Sequence, residues 1–248
     1  MIRRTFIAVS LLLLTTLSFA GSKPNSNKPG TVVDEGSFGI FQNGQRVATE
    51  IFTIRQFPDS NITSSQLHSE PGASTRLEQS SELTLRPDGT LSRYEWKQLA
   101  PARSSATVEP GDQVLVLHST TTEGKPVADQ SFFLTPQTFV LDDYFFSTRE
   151  VLLWRYLSSS CKPRPGGDGC DLIRQRFPVL IPRQRTSAQV FIEFKGYDDT
   201  PLNGRPQHLR HFVIQTEGPE WHLWLDPNHK LLRISIPDTN TEVLRQEK

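Results

Sequence analysis

The chain has 248 residues, with 27 basic against 27 acidic side chains and a hydrophobic share of 35%. That share supports a folded core and argues against wholesale disorder, and the zero net charge argues against a dedicated nucleic-acid binder. Two cysteines are too few for a disulfide-dense mini-domain or a four-cysteine zinc module.

Arg3 and Arg4 precede an apolar stretch from Phe6 to Phe19 that closes on Ser18-Phe19-Ala20. Small residues stand at the two positions a signal peptidase reads, so residues 1–20 are expected to be a signal peptide cleaved near Ala20. The expected location is periplasmic or secreted. The Arg pair reads as the positive end of a Sec signal, with twin-arginine export as the alternative. Removal of a segment with two Arg and no acid leaves a slightly acidic chain. Beyond it no apolar run approaches the about 18 residues needed to span a bilayer, so no transmembrane helix is expected in the mature chain. Residues 21–35 are polar and turn-rich and read as a flexible leader. Residues 36–248 show no repeat and no shift in composition, and read as a single antiparallel β domain.

Asn43-Gly44 is a strong hairpin signal, because both residues tolerate positive φ. A two-residue turn there sets Ile40 opposite Val47, Phe38 opposite Thr49 and Gly36 opposite Ile51. One face then collects Phe38, Ile40, Val47 and Ile51, while Arg46 and Glu50 take the wet face. Residues 75–99 read as a second hairpin around Pro87-Asp88-Gly89, in a register that Leu91 and Tyr94, of opposite parity, leave open. Residues 113–118 and 127–134 read as a third. Asp142 to Ser158 lacks Gly and Pro and spaces Phe145, Phe146, Leu152, Leu153, Tyr156 and Leu157 as a helix does. An amphipathic helix over about 142–158, capped by Asp142 or Asp143 and packed on the sheet, is expected. Strands resume at Arg174–Leu180, Ala188–Tyr197, His208–Thr216, Trp221–Leu225 and Leu231–Ile236, with a short one at Glu242–Arg245. The fold class is mainly β, a curved antiparallel or barrel-like sheet with one helix.

Cys161 and Cys170 flank a Gly- and Pro-rich loop that reads as irregular. An oxidising compartment makes their disulfide the natural expectation. His208, His211, His222 and His229 have no zinc-motif spacing, so no metal is expected. There is no Gly-x-Ser-x-Gly elbow and no acid pair that spacing alone can identify, so neither a catalytic residue nor a cofactor is expected. The stretch 149–185 holds eight basic residues against Glu150, Asp168 and Asp171. It is either a patch for an anionic envelope component or Arg scattered over strand faces. Aromatic residues crowd the helix and the segment before it. Phe145, Phe146, Leu153, Trp154 and Tyr156, with Trp224, are therefore candidates to line an apolar ligand cavity, the alternative being plain core filling.

The helix segment Val151-Leu152-Leu153-Trp154-Arg155-Tyr156-Leu157 and the closing Trp224-Leu225-Asp226-Pro227 turn, with the basic strand after it, carry a resemblance. Over roughly 120–248 the chain resembles uncharacterised secreted bacterial β-rich proteins filed as domains of unknown function. These are in turn similar to periplasmic lipoprotein-carrier half-barrels. The resemblance implies a lipid held between a curved sheet and a helical lid, and carries over no catalytic residue. The chain differs in having one helix where carriers have more, and in its Cys loop. The expected function is that of an exported, non-enzymatic binding or carrier module for an apolar or lipid-like ligand. The alternatives are an envelope scaffold without a small-molecule site and, third, an envelope-polymer hydrolase.

Overall fold

The computed structural model describes residues 30–246 apart from 74, 143, 165, 166, 171, 172 and 203. The expected signal peptide, residues 21–29 of the expected leader and the alternative cap Asp143 lie outside the described residues.

Eight strands form a meander: β1 (Thr31–Gln42), β2 (Gln45–Gln56), β3 (Asn61–Ser69), β4 (Glu78–Leu85), β5 (Leu91–Ala100), β6 (Ser104–Pro110), β7 (Leu115–Thr120) and β8 (Pro126–Phe132). The short β9 (Phe139–Val140) leads into helix α1 (Ser147–Ser160), then a ribbon of β10 (Cys161–Arg164) and β11 (Gly167–Cys170). A second meander follows: β12 (Gln175–Ile181), β13 (Thr186–Leu202), β14 (Arg205–Gln215), β15 (Glu220–Leu225), β16 (Leu231–Ile236) and β17 (Thr241–Gln246). The last strand pairs antiparallel with the first. One 15-stranded sheet results, running from β8 to β1, across to β17, and on to β12 and β9. The first and last strands thus meet in the middle of the sheet.

The two ends of the sheet meet through side chains. After a 3₁₀ turn at Pro182–Gln184, Arg185 takes the left-handed conformation (φ 53°), which costs a non-glycine residue about 1–2 kcal/mol. Its guanidinium donates to Ser119 Oγ (2.7 Å), Gln130 Oε1 (3.1 Å) and the Ala128 carbonyl (3.2 Å), and Gln130 Nε2 donates back to the Arg185 carbonyl (3.2 Å). Beside it, Arg183 is ion-paired to Asp142 (3.0 Å) and lies against the rings of Trp96 and Tyr144. These contacts close the curved sheet into a barrel-like shape around α1.

The helix is enclosed rather than laid on a face. Strands β2, β3, β12, β14 and β17 all contribute side chains that reach it. Ser147, Thr148, Arg149 and Glu150 are as buried as Leu152, Leu153 and Tyr156, so the helix is not amphipathic in the expected sense. It also starts later than expected and runs to Ser160. Asp142 does not cap it. Its carboxylate accepts from Tyr94 Oη, from Arg183 and from the Tyr144 amide. The cap comes instead from Glu50 on β2, which accepts the amides of Phe146 (2.6 Å) and Ser147 (3.3 Å).

Glu50 gets inside the barrel through a β-bulge. The expected turn at Asn43-Gly44 is present, with Gln42 opposite Gln45, but Val47 has no partner and Ile40 faces Ala48. One extra residue reverses the facing of everything beyond it. Ala48, Glu50, Phe52 and Ile54 point inward, and the expected core residues Val47 and Ile51 are exposed. A second bulge, at Val33 on β1, turns Asp34 inward. A third, between Thr84 and Leu85, puts Leu91 and Tyr94 on one face despite their opposite parity.

Two further expectations are corrected. Residues Thr31–Glu35, expected in the leader, belong to β1 and pair with β2. The Cys loop holds regular structure: Cys161 pairs with Cys170 and Lys162 with Gly169 in a two-stranded ribbon closed by the Cys161–Cys170 disulfide. A cross-link between directly opposed residues fixes the ribbon's register, which Gly and Pro alone could not.

Candidate functional site

The connections β1–β2, β3–β4, β14–β15 and β16–β17 gather at one end of the barrel, before the first turn of α1. They enclose a cleft of about 940 Å³. Its apolar wall is formed by Ile40, Ala48, Leu67, Leu77, Phe146, Trp221 and Ile236, and Tyr144 stands at its side. Polar residues occupy the rim: Arg46, ion-paired to Glu70 (2.9 Å), with Gln42, Gln45, Thr239 and Thr241. An apolar hollow with a few polar groups at its edge is the form that small-molecule sites take.

Under this wall lies a buried polar network. Glu50 accepts from Ser65 Oγ (2.9 Å), and Ser65 Oγ lies 2.7 Å from Ser147 Oγ. Burial pushes the Glu50 carboxyl above the usual range, although the hydrogen bonds from Ser147, Phe146 and Ser65 pull it the other way. The network fixes the start of α1, and with it Phe146.

Two smaller clefts are lined in part by α1. One, of about 340 Å³, shares Pro219 and Trp221 with the large cleft and reaches Arg149, whose guanidinium stacks on Trp221 at 4.3 Å. The other, of about 400 Å³, lies at the far end of α1 between Trp154, Leu157, Asp34 and Lys230. Here Arg245 donates to both oxygens of Asp34 (2.8 Å each) and Lys230 lies 2.9 Å from it. Burial raises Asp34, but Arg245, Lys230 and Glu150 outweigh it and hold the carboxyl below its ordinary value. Glu150 is raised well above its own, first by burial and then by the charge on Asp34. Acids pushed apart in this way resemble an acid–base pair. However, both Asp34 oxygens are already engaged and Glu150 is fully buried, so the pair reads as a tie between β1, α1 and β17.

The residues expected to line a cavity are spread over four places. Phe146 lies in the wall of the large cleft. Trp154 lines the far cleft and donates from Nε1 to the His229 carbonyl (2.7 Å). Phe145, Leu153 and Tyr156 have no exposure and fill the space under the helix, Tyr156 meeting Phe212 edge-on at 5.8 Å. Trp224 points to the outer face, where it packs with Leu202 and Leu209 and stacks on His211 at 4.8 Å. The cleft residues that sequence reasoning missed are Trp221, Leu67, Leu77 and Ile236. Trp221 could have been singled out, since it and Trp224 have opposite parity on one strand.

The basic stretch is dispersed. Arg149, Arg183 and Arg185 are used inside the barrel and at its seam, while Arg174 lies over Phe191 and Arg176 is exposed. Among the described residues, no three His, Cys, Asp or Glu side chains are placed to hold a metal ion, and no helix is long and apolar enough to cross a membrane.

No family model matches the chain, and no curated protein matches it. Among solved structures it is similar to the beta-barrel-like protein of a domain of unknown function, DUF1849, from Brucella abortus. The TM-score is 0.52 at 6% identity, over 86% of this chain and 95% of that one. At that identity the likeness is one of fold: a mainly β, barrel-like architecture shared with an uncharacterised bacterial domain.

Proposed function

We propose that this is an exported, non-enzymatic binding protein of carrier type. Its apolar or lipid-like ligand sits in the cleft at the barrel end, against Phe146, Trp221 and Leu67. The observation that carries the reading is the cleft itself, about 940 Å³ with an apolar wall and a polar rim. Export is supported by the signal-like first 20 residues and by the Cys161–Cys170 bond. The test is native mass spectrometry with lipid extraction of protein purified from its own envelope, alongside titration with an environment-sensitive acyl probe. Copurified lipid and saturable binding are expected. Absence of both would refute the reading.

One observation favours a second reading, that of an envelope scaffold. The space directly under α1, where a carrier would shelter its lipid, is filled by Phe145, Leu152, Leu153 and Tyr156, none of them exposed. An anionic envelope component at Arg174 and Arg176 fits that reading, since Arg149, Arg183 and Arg185 are engaged internally. The two readings part on whether the cleft takes up an acyl probe.

A further inference from the structure

Four side chains form a ladder on the outer face of β13–β15. His211 Nδ1 lies 2.8 Å from Asp198 Oδ2, His211 Nε2 lies 2.9 Å from His222 Nδ1, and His222 Nε2 lies 3.1 Å from Glu220 Oε1. All four ring nitrogens are engaged. The two carboxylates only accept, so the outer links need protons on His211 Nδ1 and His222 Nε2. The central link needs a third. Two neutral imidazoles carry two protons between them, so the complete ladder contains one imidazolium. Without the third proton, either two bare lone pairs face each other across 2.9 Å or one carboxylate faces a bare nitrogen.

His211 is the more buried, with 14% of its side chain exposed against 26% for His222. Burial lowers the His211 pKa, His222 and Lys195 lower it further, and Asp198 and Glu220 oppose them. The geometry assigns one imidazolium to the pair, shared across the central link. The other charged groups facing the ladder are accounted for. On β13, Lys195 is paired to Glu193 (2.9 Å). On β16, Arg233 lies over Trp224 and is held by Glu242 of β17 (2.8 and 2.9 Å).

Position gives the ladder a use. Trp221 lies between Glu220 and His222 on β15, and points the other way, into the cleft wall beside Pro219. We infer that the Asp198–His211–His222–Glu220 ladder is a proton-operated latch that fixes the β14–β15 hairpin, and with it the Pro219–Trp221 wall, in its ligand-binding position. When pH rises, the pair gives its third proton to solvent and one of the three links is lost. The hairpin loosens and the wall is no longer preorganised, so the cleft binds more weakly. The effect on the ligand rests on the binding reading proposed above; the latch itself does not.

The experiment uses the intact protein with ¹⁵N-labelled histidine, scanned from about pH 5 to 8, where histidine charge changes occur. Ring NMR, amide hydrogen exchange at residues 216–222 and affinity for the uncharged probe N-phenyl-1-naphthylamine are read in parallel. Three results are expected. The two rings together carry three protons. Exchange at 216–222 quickens as the third proton leaves. Probe affinity falls about five-fold over the same step. His222→Gln should remove both dependences. Two neutral rings throughout, or loss of the third proton that leaves hairpin exchange unchanged, overturns the latch. If the probe binds at no pH, the binding reading fails, and exchange alone decides the latch. Probe binding that is unaffected by pH while exchange responds overturns the coupling to the ligand.

Discussion

The space beneath the body of α1 and the space before its first turn are enclosed by the same barrel, yet one is full and the other open. Beneath the helix, Leu152, Leu153 and Tyr156 meet Phe177 and Phe212 with no exposure left. Before the first turn, four connections extend beyond Phe146, the residue that precedes the helix, and a cleft of about 940 Å³ remains. The difference teaches that room for a ligand arises here from where the helix stops, and that Glu50 decides this by fixing the start of α1 from β2.

The strongest way to break this contrast is to remove bulk from each region. Tyr156→Ala should cost about 3–5 kcal/mol in urea unfolding, because the closed side cannot collapse around the lost ring. Phe146→Ala opens onto an existing cleft, so it should cost less and alter acyl-probe binding instead. Equal costs with unchanged binding would erase the distinction.

Next in size is the cap. Glu50→Leu leaves the amides of Phe146 and Ser147 and the hydroxyl of Ser65 without their acceptor, and about 3 kcal/mol should be lost. Ser65→Ala should lose much less, because the two amide bonds to Glu50 remain. Loss of the disulfide in a Cys161→Ser, Cys170→Ser protein should cost about 2–3 kcal/mol, as for any loop this short. It should leave probe binding unchanged, since the ribbon lies at the other end of the helix.

The far cleft gives a pH dependence. The Asp34 pKa is depressed in the fold, so its stabilising contribution is complete above the ordinary aspartate pKa. It is lost as pH falls through the lower folded value. Acid unfolding, followed by circular dichroism below about pH 4, should therefore flatten in Asp34→Asn. An unchanged acid limb would mean the Arg245 tie does not hold β1 to β17. Smallest of all, Phe133→Ser should shift stability by no more than about 0.5 kcal/mol, since Phe133 is 92% exposed.

Much of the architecture was legible in the sequence. Asn43-Gly44, Pro87-Asp88-Gly89 and the apolar alternation marked hairpins, and the absence of Gly and Pro from 142–158 marked the helix, which spans Ser147–Ser160. The strands Asn61–Ser69 and Ser104–Pro110 were not, and the first shows why. Its inward residues Thr63 and Ser65 are polar, Ser65 because it bonds Glu50, so the apolar alternation that marks a strand is missing. The bulges at Val33 and Val47 were equally silent, since either register suits Val-rich strands locally. They turn Asp34, read as part of the leader, and Glu50, read as a wet-face residue, into the charges that position the helix. The aromatic run before and along α1 was visible as a feature, but composition cannot separate Phe146, in the cleft wall, from Phe145, in the core next to it.

The central claim is that the space before the first turn of α1 is where a ligand binds. Ala48 is small, points inward and lies in the cleft wall, so Ala48→Trp should fill the cleft without disturbing the packing under the helix. The measurement is the equilibrium affinity of an environment-sensitive acyl probe for the native protein and for Ala48→Trp, with unfolding midpoints as the control. The account predicts saturable binding to the native protein and at least a ten-fold loss in the variant, at an unfolding midpoint close to native. Equal affinity in the two proteins would contradict it.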